Sequence, residues 1–241
     1  MPLKVYLGWD KRDALAYAVA RASILATASG PVEIIPLKDW VLREAGLYWR
    51  SYWVNPRGQM FDDIDSRPFT TDFTYQRFLI PALERFEEGR VIFADGDTLW
   101  RGDIYALANK LPDGKAVACV KHEHAPAETV KVTGNLQQRY PRKNWSSVMV
   151  LDPSRCRLLT PYQVNRASRD WLHGLDWAPD RDIEALPIAW NWLDGYSPDV
   201  TDPKVVHFTR GTPDMKNRTA GPYDWEWRQI ADKLKPEAFG V

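Results

Sequence analysis

The chain has 241 residues, with 32 Lys+Arg against 32 Asp+Glu, 12 Trp and 2 Cys. Balanced charge excludes a nucleic-acid binder held by phosphate contacts, and the well-separated Cys119 and Cys156 exclude a disulfide framework and favour a reducing cytoplasm. The opening MPLKVYLGWDKRD has no apolar secretory core, and no apolar run approaches the roughly 20 residues that span a bilayer. A cytoplasmic protein with one domain over 1–241 is therefore expected, with peripheral membrane contact left open.

LKVYLG (3–8) reads as a buried strand, and Asp13 as the cap of a helix carrying Leu15, Val19, Ala22 and Leu25 at helical spacing. Gly30-Pro31 ends that helix, and VEIIP (32–36) is a second strand, so the chain opens β-α-β. A helix is expected over 38–46 and an irregular loop over 48–70. Asp72 is expected to cap a helix over 73–89 that Pro81 kinks or shortens and Gly89 closes. Strands follow at RVIFAD (90–95), AVACV (116–120), SSVMVLD (146–152) and KVVHF (204–208). A short helix begins near Asp103, PYQVNRASRDWLHG (161–174) reads as a helix, and a helical tail starts near 223. Residues 121–145 form a polar loop. The fold class is α/β on a mostly parallel sheet.

Such sheets bind ligands at the carboxyl ends of their strands. Gly8-Trp9-Asp10, Asp95-Gly96-Asp97 and His207 fall there. Two aspartates one residue apart at a strand end can both face a divalent cation, with Gly96 giving the turn its freedom and leaving room for a ligand. Oxygen ligands suit Mg²⁺ or Mn²⁺, and an added imidazole favours Mn²⁺. Alternatives stand beside this. Asp-x-Asp also occurs as a solvated turn, and His207 in an apolar strand also reads as a satisfied core histidine. Arg77 reads equally as a surface arginine paired with Glu84, and Asn144 as a loop end. His122 and His124 form a His-x-His pattern, read as loop or acceptor-site residues. A calcium loop is excluded, because Leu99 and Trp100 occupy its fifth and sixth positions. A haloacid-dehalogenase-type phosphatase with Asp95 as nucleophile is weakened, since Thr98 comes one residue early. The tryptophans read mainly as packing, with sugar stacking as the second use.

Six segments in order resemble the GT-A glycosyltransferases, closest to the retaining family 8 group and to a bacterial and phage group within this class. They are KVYLGWDKRDALAYAVARASI, TYQRFLIPAL, VIFADGDTLWRGDI, NWSSVMVLD, APDRDIEALPIAWNWL and KVVHFTRG. The resemblance implies a GT-A fold and transfer of a glucose- or galactose-type sugar from a UDP-sugar donor to a glycan or lipid-linked glycan acceptor. It implies Mn²⁺ or Mg²⁺ on Asp95, Asp97 and His207. Gly8, Trp9 and Asp10 would line the base and ribose pocket, and Arg77 would support the nucleotide side. Asn144 and Ser146 would face the donor sugar, with Asp180 and Asp182 near the reacting carbon. Two departures stand out. Arg181 replaces the family's glutamine between those aspartates, which also admits a nucleotide-binding domain without transfer. Gly211 and Lys216 lie four and nine residues beyond His207, farther than in the family, so the diphosphate contact falls to Lys216 or to Arg210.

Overall fold

The computed structural model describes residues 1–123 and 142–235. His124 and the expected loop from there to 141 lie outside the described residues, as does the end of the chain from 236.

In chain order the elements are β1 (Leu3–Gly8), α1 (Ala14–Thr27), β2 (Val32–Leu37), α2 (Asp39–Glu44), β3 (Tyr52–Val54), β4 (Met60–Asp62), β5 (Pro68–Phe69), α3 (Ile80–Leu83), β6 (Val91–Ala94), β7 (Thr98–Trp100), α4 (Ile104–Ala108), β8 (Val117–Cys119), β9 (Val148–Leu151), α5 (Pro161–Val164), α6 (Arg169–His173), β10 (Ile183–Ala185), β11 (Trp192–Leu193), β12 (Val205–His207) and α7 (Asp224–Ala231). Six strands form the central sheet in the order β10-β8-β9-β6-β1-β2. Pairing is parallel except where β9 meets β6 and β8, so β9 alone runs against the other five.

The sheet is buried on both faces. Alternation along β6 sends Phe93 into one apolar layer, with Phe78, Leu79, Met149 and Trp177, and Ile92 and Ala94 into the other, with Leu7, Tyr17, Trp100 and Val148. A strand covered on both sides reads as an unbroken apolar run, which is why these strands are legible in the sequence. A second sheet, β11-β12-β7, packs with α1 and α7 around Val19, Leu99, Val206, Phe208 and Trp227.

Three expectations are corrected. Residues 48–70 are not irregular: β3, β4 and β5 form an antiparallel meander, pinned by a buried two-pronged ion pair of Arg50 with Asp62 at 2.5 and 2.7 Å. Its strands are two or three residues long and β3 is exposed throughout, so no alternation marks them. The helix expected over 73–89 is a 3₁₀ turn (Gln76–Leu79) and the single turn of α3, with Pro81 in its first turn, the place that suits a residue lacking an N–H. Asp72 caps nothing there; its N–H donates to Asp10 Oδ2 at 3.0 Å. The helix expected over 161–174 divides into α5 and α6, each started by its own hydroxyl cap, Thr160 and Ser168. Asp13 stands at the start of α1 but makes no side-chain capping bond.

Candidate metal centre

After β6 the chain turns through Asp95-Gly96-Asp97 and leaves the central sheet as β7. Thr98 closes the turn, its Oγ1 donating to Asp95 O at 2.9 Å and accepting from Trp100 Nε1 at 3.1 Å. That hydroxyl is thereby committed to the turn. β7 pairs antiparallel with β12, with Thr98 opposite His207. This register carries the imidazole over the carboxylates. His207 Nε2 lies 3.2 Å from Asp97 Oδ1 and 3.7 Å from Asp95 Oδ2. One ligand atom from each of Asp95, Asp97 and His207 falls within 4.8 Å of the others. Two carboxylate oxygens and one imidazole nitrogen are a donor set that fits Mn²⁺ or Mg²⁺.

Arg77 is buried and sits behind the pair. Its Nη1 meets Asp95 Oδ1 at 2.8 Å and donates to Ser146 O at 2.9 Å, while Nε donates to Thr74 O at 3.1 Å. It therefore holds one oxygen of Asp95 and leaves the other toward His207. The surface alternative for Arg77 is overturned, because Glu84 is taken by Lys4 at 2.8 Å and Tyr6 at 2.5 Å.

Burial pushes the Asp95 carboxyl up to about 6, against the opposing pull of Arg77 and His207. Burial works to lower His207, but Asp97 and then Asp95 outweigh it and the imidazole is raised. Both groups hold protons more firmly than usual, so a cation competes with protons here. Asp13, unnoticed as a neighbour of this site, is pushed up to about 6 by burial and then by Asp97 and Asp10.

The glycine between the carboxylates has a different cause from the one expected. A Cβ on Gly96 would lie 2.4 Å from the Gly8 carbonyl oxygen. The end of β1 demands the glycine, whatever ligand binds. Gly8 is equally confined, with a Cβ 2.5 Å from the Phe73 ring.

The other expected residues divide. Asp10 is buried at the carboxyl end of β1, but its carboxylate is filled by Arg12 N and Nε, both at 2.9 Å, by Arg12 Nη2, and by Asp72 N. Trp9 is buried edge-to-face against Trp40, ring centres 4.9 Å apart, with Lys38 Nζ 5.1 Å from each ring. Trp40 is the exposed member of that pair. Asn144 takes a left-handed φ of 65°, and its buried Nδ2 meets no hydrogen-bond partner among the described residues. Ser146 Oγ meets His173 Nδ1 at 2.9 Å, beneath Arg77. Lys216 is exposed, and Arg210 lies 3.9 Å from the buried Asp194.

Asp180, Arg181 and Asp182 are not brought to this site. They form a turn before β10, which runs parallel to β6, whereas Asp95 follows β6. Asp182 is tied to the neighbouring strand start through Ala116 N at 3.0 Å. Five residues along the strands and three strands across separate it from Asp95, about 20 Å. The physical reason is length: between Asp182 and Leu186 there is only the short β10, so these aspartates stand at its far end. Asp180 faces solvent, paired with Arg142 at 2.6 Å. Sequence reasoning missed Asn191, the buried neighbour of His207, although it lies in the quoted APDRDIEALPIAWNWL segment beside Trp190.

Beyond His207, a cavity of about 400 Å³ opens at the carboxyl ends of β8 and β10. Lys121, His122, Glu123, Leu186, Leu193 and Tyr196 line it. Leu193 is in register with His207, which sets this cavity beside the metal centre.

No protein-family model matches the chain. Protein CDI of Arabidopsis thaliana is 38% identical over 219 residues, covering 88% of this chain and 79% of that protein. The chain belongs to the family of protein CDI. Among solved structures, the bifunctional glycosyltransferase WbbM aligns over 95% of this chain with a TM-score of 0.55 and 17% identity. The chain spans about half, 51%, of that protein's length. The galactosyltransferase LgtC, solved with donor and acceptor sugar analogues, aligns over 99% of both chains with a TM-score of 0.56 and 13% identity. The α/β fold is thus the GT-A-like fold of these glycosyltransferases. Among the described residues, no helix is long and apolar enough to cross a membrane.

Proposed function

We propose that this protein is a metal-dependent, retaining glycosyltransferase that moves a glucose- or galactose-type sugar from a UDP-sugar to an acceptor hydroxyl. The observation that carries this is the convergence of Asp95, Asp97 and His207 at the carboxyl end of a GT-A-like sheet. These three residues would hold Mn²⁺ or Mg²⁺, which when bound neutralises the diphosphate leaving group. Arg77 fixes the orientation of Asp95 from behind. Asn144, whose buried Nδ2 has no partner among the described residues, is suited to a sugar hydroxyl, and the exposed Trp40 to the nucleotide side. Lys216 or Arg210 would meet the diphosphate.

The reaction breaks the bond from the anomeric carbon to the phosphate oxygen and forms one to the acceptor oxygen on the same face. The acceptor proton passes to the departing diphosphate, so no side-chain base is required. This agrees with the absence of Asp180 and Asp182 from the centre. The cavity lined by His122 and Tyr196 is the place for the acceptor, a glycan or lipid-linked glycan. A cytoplasmic setting is consistent with two free, buried cysteines.

A second reading is a domain that binds nucleotide and metal without transferring, favoured by the displaced Asp180-Arg181-Asp182 turn. Donor hydrolysis separates the two: UDP-glucose or UDP-galactose with Mn²⁺ and no acceptor should release UDP slowly from a transferase. Tight UDP binding with no release across UDP-sugar donors would leave the binder.

A further inference from the structure

Asn191 is fully buried in the 3₁₀ turn (Ile188–Asn191) that leads into β11. Its Nδ2 donates to Asn144 O at 3.2 Å and to Ser147 Oγ at 3.0 Å. Asn144 O is a carbonyl and only accepts, so the amide cannot be turned the other way without losing that bond. Oδ1 must then face His207, and it lies 3.0 Å from Nδ1. An acceptor at that distance requires the ring nitrogen to carry hydrogen. Nδ1–H is thereby fixed whether or not Nε2, 3.2 Å from Asp97 Oδ1, also carries hydrogen, and Nε2 is the nitrogen that a metal would take in place of that hydrogen.

The same amide reaches the other side of the cluster. Ser147 O accepts from Asp95 N at 2.8 Å. Asp95, Ser147, Asn191 and His207 therefore form a closed ring that joins the end of β6, the turn before β9, the turn before β11 and the end of β12. Partners of this kind set the tautomer, orientation and basicity of a ligating imidazole.

We propose that Asn191 is the positioning residue of the metal centre. It selects the Nδ1–H tautomer of His207 and locks the spacing between His207 and Asp95. The assignment rests on the metal-site reading above.

Mn²⁺ alone is the probe. Free-Mn²⁺ electron paramagnetic resonance gives the dissociation constant for wild type, Asn191→Ala and Asn191→Asp. The alanine variant should bind about 10- to 100-fold more weakly. Asn191→Asp keeps an acceptor facing Nδ1 but loses the donor to Asn144 O and Ser147 Oγ, so it should recover only part of that loss. In parallel, long-range ¹H–¹⁵N correlation on the metal-free wild type at pH 9 reads the tautomer of neutral His207 directly. Nδ1–H is expected, and this arm holds even if the alanine variant does not fold. An Nε2–H tautomer, or an alanine variant that binds Mn²⁺ within about twofold of wild type, overturns the assignment. A wild type that binds no Mn²⁺ overturns the metal reading instead, while the tautomer still decides the role of Asn191.

Discussion

Two of the chain's Asp-x-Asp turns have opposite fates. Asp95-Gly96-Asp97 follows β6, is held by Arg77 and meets His207. Asp180-Arg181-Asp182 precedes β10 at the other end of the same sheet, where Asp180 faces solvent beside Arg142. The residues in the two turns are nearly the same chemistry. Strand direction makes the difference: in a parallel sheet, the segment after a strand and the segment before it lie at opposite ends. A short acidic motif gains meaning only once its side of the strand is known.

The contrast can be broken most forcefully at Arg77. In Arg77→Met, Asp95 is left buried without its cation, which costs about 3–5 kcal/mol for a pair of this kind. Melting should fall by roughly 10 °C near neutral pH. Part of this returns at pH 5, because an Asp95 carboxyl with a further raised pKa is protonated there. A fall of only a degree or two would mean that Asp95 needs no partner, and the two turns would then be alike.

Asp13 sharpens the contrast from its edge. Its carboxyl is held up at about 6 by burial and by Asp97 and Asp10. A raised carboxyl stabilises the fold while protonated, and that contribution is lost as pH rises through about 6. Asp13→Asn should therefore stabilise the protein by about 1–2 kcal/mol at pH 8 and by almost nothing at pH 4. Equal shifts in melting at both pH values would place Asp13 outside the field of the metal centre.

The smallest effect belongs to the second turn. Asp180→Asn and Asp182→Asn should leave donor turnover within about twofold, and melting nearly unchanged, since an exposed ion pair contributes about 0–1 kcal/mol. A tenfold loss of turnover in Asp182→Asn would return that aspartate to the chemistry.

The same contrast explains what the sequence reveals. β1, β6, β8 and β9 are buried on both faces and read as apolar runs, and the carboxyl end of β6 locates Asp95 and Asp97 without any structure. The meander at Tyr52–Phe69 was illegible because the Arg50–Asp62 pair that fixes it is a contact between strands too short to show a period. The resemblance names His207, and the β7–β12 register, which joins positions about a hundred residues apart, is what carries it over the two carboxylates. Asn191 needed the amide geometry at its far end. The order of motifs sets Asp182 near the reacting carbon whereas the fold sets it before β10, because motif order does not count the residues that must cross the sheet between them.

The most direct measurement is thermal melting with UDP, with Mn²⁺ and with both, for wild type and Asp97→Ala. Ligand at about 100 times its dissociation constant adds ~2.7 kcal/mol, a rise of roughly 5–10 °C in a chain of this size. The expected result is a rise in wild type that requires both ligands and vanishes in Asp97→Ala. A wild type that melts unchanged with UDP and Mn²⁺ together, or a rise that survives the loss of Asp97, would contradict a metal–nucleotide centre at the end of β6.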